Sequence, residues 1–487
     1  MRTSDELFLL IKSMSKNEKG YFKRLASIHT SETKTNYVTL FNTIDALTEY
    51  NEKKVVEKIQ DKILVKNLSK EKNHLYSLLL QSLRLYHYEK DITHQINAIL
   101  SSIKILYNKG LIKQCEKLIR KGKKIIKDTQ LINYEIELCR WEQEIAINSS
   151  ATTKLLTIVK EKTETVNKLK NIEDYSSIYL QLYNAIVKSG DSLVNQNSVV
   201  KKLMKPNVLY NEKTALTISA KLYYYHIHVI YHNYEKKYDQ AFIYSKKRID
   251  LLAANPKVKE DNPREYINAI NNHANLLIKL HKYKDAQEVA NLITSNNKNE
   301  FITCREKSRH IIIRLTINQK IKNYNETIQM KDEIINLLST YKHLVKKDEV
   351  ALISYFLALA CFYTADYHSS LKWCQNILNE KEKNIRTDIQ CMARILNIII
   401  LYEIDKNSNL EHLYHAAVRY FKKTKHANID ALNFINQMIL VNGTKKKHSI
   451  SFFEQNKLFN AFARQEEAIV GLKNIEPWIE MYIKREK

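Results

Sequence analysis

At 487 residues the chain is too long for one compact core, and with 6 glycines and 4 prolines it is too poor in turn-formers for a strand-rich one. It is 44% hydrophobic and 27% charged, which excludes a disordered or membrane-embedded chain. The formal net charge of +25 comes mainly from lysines spread along the whole length, with arginine much rarer. It therefore reads as a solvated basic surface more than as a phosphate-reading site.

Ser4-Asp5-Glu6 predicts a first helix carrying Leu7, Leu10, Ile11 and Met14 on one face. Ser15-Lys16-Asn17-Glu18 has the spacing of a capping box, so a second helix is expected to start there. Further helices are predicted at about 36–49, 52–63 and 69–88. Residues 1–90 thus form a helical N-terminal domain or cap, whose Lys12, Lys16, Lys19, Lys23 and Arg24 put positive charge on the first two helices. The opening Met1–Glu6 lacks the basic stretch and unbroken apolar core of a signal peptide, and no apolar run approaches the roughly 20 residues of a membrane span, so a cytoplasmic chain is expected.

From residue 91 a short turn recurs. Lys237-Tyr238-Asp239-Gln240-Ala241, Lys282-Tyr283-Lys284-Asp285-Ala286, Asn323-Tyr324-Asn325-Glu326-Thr327 and Asp366-Tyr367-His368-Ser369-Ser370 share an aromatic residue three places before a small one. Asn409-Leu410-Glu411-His412-Leu413 is a weaker copy, and an upstream copy ends at Cys115 after Asn108-Lys109-Gly110. The small positions 241, 286, 327, 370 and 413 lie 45, 41, 43 and 43 apart, a period of about 42; the gap from 115 to 241 leaves room for two further repeats near 157 and 199. An apolar helix pattern precedes each turn (Ile267, Ile270, Ala274, Leu277) and another follows it (Val289, Leu292, Ile293). Neither helix buries its stripe alone, and stacking against neighbours is what would stabilise it.

Over roughly residues 92–430 these turns resemble the tetratricopeptide-like superfamily, without its usual first-helix glycine and closing proline. The resemblance implies an all-α, right-handed superhelical solenoid of antiparallel helix pairs spanning 91–440. The opening Ser4–Phe8 through Glu18–Lys23 is similar to the start of helical-repeat proteins common in Bacteroidota, for which no activity is established. Residues 441–487 are read as a basic loop, Gly443–His448, followed by capping helices. In these Pro477 fits the first turn of the last helix, and Trp478, Met481 and Tyr482 pack back on the final repeat.

No catalytic signature is present, and no cofactor is implied. The six cysteines form no C-x-x-C pair and read as reduced core thiols. His226, His228 and His232 are the nearest approach to a metal set; with no further ligand in pattern they read as packing or groove-lining residues. In tetratricopeptide repeats the first helix of each pair lines the concave groove. Laying that register on Ala286 places Asn268, Asn271, Asn275 and Lys279 inward; on Ala241 it places Tyr223, His226, Asn233 and Tyr234, and on Ser370 Tyr355, Phe362 and Tyr363. Asn amides between aromatic walls suit an extended peptide, since one amide satisfies both a C=O and an N–H of the bound backbone. The sequence thus points to a cytoplasmic protein-interaction scaffold or sensor for a peptide or flexible protein segment. The alternative is a nucleic-acid-associated regulator using the basic surface and N-terminal helices.

Overall fold

The computed structural model describes residues 3–28, 34–59, 65–88, 91–127, 129–148, 152–189, 197–294, 304–340, 344–380, 386–405, 410–424 and 470–486. These are helical almost throughout, with no strand among them, and none of their helices is long and apolar enough to cross a membrane. The chain divides into two compact units, Met1–Lys170 and Asn171–Lys487.

The first unit opens with α1 (Thr3–Ser13), α2 (Lys16–Ile28), α3 (Lys34–Asp45), α4 (Glu52–Lys58) and α5 (Leu68–His87). The expected capping box is present at the start of α2. The Ser15 amide donates to Glu18 Oε2 at 2.6 Å, and the Glu18 amide donates to Ser15 Oγ at 3.3 Å. The same carboxylate lies 2.7 Å from His87 Nε2, so one residue caps α2 and fastens it to α5. Leu7, Ile11, Leu40, Phe41, Ile44, Leu75 and Leu79 are fully buried in the shared core.

Next come α6 (Ile92–Asn108), α7 (Ile112–Ile126), α8 (Ile132–Asn148) and α9 (Thr152–Ser189), whose residues from Asn171 onward belong to the second unit. On α6, Ile96, Ile99 and Ile103 recur at helical spacing and are buried, as are Cys115, Ile119, Gly122 and Ile126 on α7. A Cβ on Gly122 would lie 3.0 Å from Leu138 Cδ2, so the missing side chain is what lets α7 and α8 approach. The turn predicted near 157 does not exist: α9 runs unbroken for 38 residues through that position. Position 199 falls in a short helix, α10 (Asn197–Leu203). The interval from 115 to 241 therefore does not hold two further helix pairs. Thr152–Ser189 contains neither proline nor glycine, and nothing local stops the helix.

In the second unit the pairs are α11 (Ile218–Tyr234) with α12 (Tyr238–Ala253), and α14 (Pro263–Lys279) with α15 (Tyr283–Thr294), a short α13 (Pro256–Asp261) lying between. Then α16 (Cys304–Lys320) precedes α17 (Tyr324–Gln329) and α18 (Lys331–Thr340), and α19 (Lys347–Tyr363) precedes α20 (Tyr367–Leu378). Last come α21 (Thr387–Ile404), α22 (Glu411–Thr424) and α23 (Glu476–Glu486). The leading helices α11, α14, α16 and α19 are each 17 residues long and begin 45, 41 and 43 residues apart. Each pair packs on the next, α12 against α14, α15 against α16 and α20 against α21, while the leading helices α14, α16, α19 and α21 touch in succession.

The turns are alike in backbone as well as in sequence. Lys236, His281, Lys322 and Ala365 adopt φ of 57°, 59°, 58° and 60°, and Gly110 does the same at 72°. The next amide, of Lys237, Lys282, Asn323 or Asp366, donates five residues back to His232, Leu277, Asn318 or Cys361 at 2.8–2.9 Å. This is the Schellman closure, which satisfies helix-end carbonyls that would otherwise lose their water. The glycine shortage predicts few left-handed positions, and the structure departs from that: four turns use ordinary residues, each at a cost of about 1 kcal/mol. The small residues after the turns sit where expected, Ala241, Ala286 and Ser370 at 0% exposure and Thr327 at 3%. At the fifth turn Leu413 is half-buried, and Leu410 and Ala417 take the core positions.

The C-terminal helix packs back as expected through Trp478 and Tyr482. Trp478 Nε1 donates to Glu403 Oε1 at 2.7 Å, and both rings lie against Tyr402. Met481 is the correction: it is exposed at 39%, because residues 478 and 482 share one helical face and 481 turns away from it. The basic loop Gly443–His448 and the helix expected from Ser451 lie outside the described residues.

Candidate functional site

Within the second unit, a polar seam runs across consecutive leading helices. Tyr183 and Tyr179 on α9 stack with centroids 6.2 Å apart. Tyr179 lies 5.7 Å from Tyr223 and 4.6 Å from His226 on α11. His226 Nε2 is 3.3 Å from the Asn272 amide nitrogen on α14. Arg309 on α16 donates to Asn272 Oδ1 at 3.2 Å and to Asn268 Oδ1 at 3.4 Å. The bonds fix the polarity of the chain. The Asn272 oxygen accepts from the guanidinium, so its NH2 faces the imidazole, and His226 Nε2 must accept and stay neutral. Burial, reinforced by Arg248 and Arg309, holds the His226 pKa well below the usual histidine value.

Of the predicted positions, Tyr223, His226 and Asn268 join this seam, while Asn275 and Lys279 are exposed further along α14, Lys279 donating to Asn233 Oδ1 at 2.8 Å. Tyr234 is half-buried, with its hydroxyl inside the packing. Asn271 is corrected: it is 0% exposed, its oxygen is 3.3 Å from His310 Nδ1, and it sits between α14 and α16, not on a free face. Its neighbour Asn272 takes the place given to it. Tyr355 is likewise corrected, at 0% exposure in the core of α19, and Phe362 is buried at 5%. Tyr363 donates to the Asn474 carbonyl at 2.7 Å and stacks on Tyr324 at 4.5 Å, so the C-terminal segment covers it. The sequence reading missed Tyr179, Tyr183, Asn272 and Arg309. Asn272 had a signal, since the spacing 268, 272, 275, 279 is as helical as 268, 271, 275, 279. The α9 tyrosines had none, lying outside any repeat turn.

His228 and His232 share a face, but their partner is an aromatic ring: Tyr244 stacks on His228 at 4.4 Å and on His232 at 5.6 Å. Burial pushes His228 down to about 4 despite its contact with the Leu209 carbonyl. In the first unit Cys139, Glu142 and Glu161 bring three metal-type ligand atoms within 4.8 Å. Lys123 Nζ already occupies that position, 2.6 Å from Glu142 and 3.0 Å from Glu161. Burial raises the Cys139 thiol to about 11, with Lys123 opposing the rise, so it stays protonated at neutral pH. All six cysteines are buried. A polar depression of about 380 Å³ bordered by α16, α17 and α18 is lined by Arg314, Asn323, Glu326 and Glu333, with Arg314 and Glu333 paired at 3.1 Å.

On the first two helices Lys12 donates to the Asp45 carbonyl, Lys19 pairs with the Asp45 carboxylate at 2.7 Å, and Lys23 lies over the Phe41 ring. These three charges, expected to face a polyanion, are thus engaged within the fold. No family model matches the chain, and no curated protein does.

Proposed function

We propose that the second unit is a binding module, its helix pairs continuing as a right-handed solenoid of tetratricopeptide type, and that it holds an extended peptide or flexible protein segment along the seam. The observation that carries this reading is the run of aromatic, amide and guanidinium groups from Tyr183 to Arg309, each touching the next across α9, α11, α14 and α16. Rings supply apolar contact at low entropic cost, and amides offer both donor and acceptor to a backbone that has given up its water. Tyr183, at 47% exposure, and the exposed Asn275 present free surface beside the ordered seam. A scaffold or sensor role in the cytoplasm fits such a module. The engagement of Lys12, Lys19 and Lys23 within the fold weighs against the nucleic-acid reading, whose other support is the net charge of +25.

Peptides selected from a random displayed library against the whole chain test the proposal. Tyr183→Ala with Asn275→Ala is expected to weaken the selected peptides at least about tenfold, since both groups are exposed and contribute little to folding. Ile335→Ala, an exposed apolar residue on α18, is expected to leave binding unchanged. Equal binding by the double variant and the wild-type chain would remove the seam from consideration.

A further inference from the structure

The seam ends on an arginine of unusual bonding. Arg248 is held by Glu265 through Nε at 3.0 Å and Nη2 at 2.5 Å, Arg314 by Glu333 at 3.1 Å and Arg386 by Asp388 at 2.6 Å. Arg394 is folded onto its own helix at Gln390 and lies 3.7 Å from the Tyr420 ring. Arg309 is half-buried, yet its two partners are neutral amide oxygens. Two amides fix the plane of the guanidinium without neutralising it, and three of its five N–H groups remain for another acceptor. Burial, with Arg305 close by, lowers its pKa below the usual arginine value, against the opposing effect of Tyr183, Glu349 and Glu306. Glu306 and Glu349 act on it only through space, and Glu349 takes the Ser308 hydroxyl at 2.6 Å.

We propose that Arg309 is the anion-binding point of the seam and that the segment held there carries a side-chain carboxylate next to an aromatic residue. The proposal rests on the peptide-binding reading and names its ligand chemistry. A planar fork already oriented by Asn268 and Asn272 matches a carboxylate bidentately, and Tyr179, Tyr183 and Tyr223 continue the seam as rings on which a neighbouring aromatic residue can stack. The charge balance favours a monoanion. Glu306 and Glu349 lie within electrostatic reach and would repel the second charge of a dianionic phosphate more than the single charge of a carboxylate.

The seam crosses four helices packed about 8–10 Å apart, a distance that roughly ten extended residues span. The probes are therefore fluorescein-labelled peptides of about that length, alternating Glu–Tyr, Gln–Tyr and Glu–Gln, together with oligo-dT of equal length, read by anisotropy against the whole chain. Glu–Tyr is expected to bind about tenfold more tightly than either of the other peptides. Arg309→Lys is expected to lose about tenfold for Glu–Tyr and nothing for Gln–Tyr, because an ammonium keeps the charge and loses the fork. Arg305→Gln, at an exposed position that folding does not depend on, is expected to lose about threefold, and it carries the test if Arg309→Lys melts early. Glu–Tyr binding that is the same in wild type, Arg309→Lys and Arg305→Gln overturns the inference. If Tyr183→Ala with Asn275→Ala still weakens Gln–Tyr in that case, the seam stands and only its ligand chemistry falls; if that variant binds every probe normally, both fall. Oligo-dT binding more tightly than Glu–Tyr, with a loss in Arg309→Lys, also overturns the proposal, in favour of a single-stranded polyanion.

Discussion

The two units treat buried polarity in different ways. In the first, interior cations meet carboxylates: Lys72, 6% exposed, is bonded to Glu52 at 2.6 Å, and Lys123 is shared by Glu142 and Glu161. In the second, Arg248 is paired with Glu265 in the same way, but several other buried polar groups are neutral or lack a charged partner. His228, His273 and His310 are 8%, 6% and 6% exposed, and burial pushes each down to about 4. Asn271 Nδ2, His310 Nε2 and the Tyr355 hydroxyl are buried without a partner, while Arg309 has only amides. The neutral imidazoles of the second unit make it sensitive to protons, and the guanidinium of Arg309 is the group on which the proposed anion contact rests.

Acid should separate the two units most strongly. A histidine at about 4 in the fold and about 6.5 in the unfolded chain binds its proton first when unfolded. The stability it contributes is complete above pH 6.5 and is lost as pH falls towards 4, about 3 kcal/mol for each of the three at the bottom of that range. In the first unit Glu18 and Asp91 are instead held below the usual carboxylate range; burial would raise them, and hydrogen bonds from Ser15 and Thr93 overcome it. Their contribution is lost only as pH falls through those lower values. Hydrogen exchange read peptide by peptide should show residues 218–404 losing protection between pH 6.5 and 4.5 while residues 7–83 keep theirs. Loss of both units together across that range would end the comparison.

Removing single carboxylates should give a smaller difference of the same kind. Glu265→Gln strands Arg248, which is 1% exposed, and is expected to cost about 3–5 kcal/mol. Glu142→Gln leaves Lys123 with Glu161 and is expected to cost about 1 kcal/mol. Urea melts of the two variants check the contrast, and equal losses would refute it.

The smallest effects belong to the turns. Gly110→Ala in the first unit is expected to lose about 1–2 kcal/mol, because a side chain is forced to φ 72°. Lys322→Gly and Ala365→Gly in the second are each expected to gain up to about 1 kcal/mol by relieving the same strain. A thermal melt that moves the wrong way at any of these positions would mean that the Schellman closure does not limit stability there. Of these features, the turns were legible in the sequence as aromatic-x-x-small spacing. Their left-handed residue was not, because Lys236, His281, Lys322 and Ala365 share no side-chain property; the closing hydrogen bond selects the conformation, not the residue.

Local chemistry determined the helices, their caps and the recurring turn. The Ser15–Glu18 box and the apolar spacing on α6 and α7 follow from residues within a few positions along the chain, and the small residues at 241, 286 and 370 mark the turns in sequence, although the neighbours that bury them come from other helices. Tertiary packing decided which face of each helix stayed open. Asn271 and Asn272 fit the same i+3 or i+4 pattern, and α16, through His310 and Arg309, buried the first and put the second on the seam. Tyr355 went inside for the same reason, and α9 supplied tyrosines from outside any repeat. Helical periodicity places a residue on a face only to within about 100°, and the remaining choice belongs to whichever neighbour packs there.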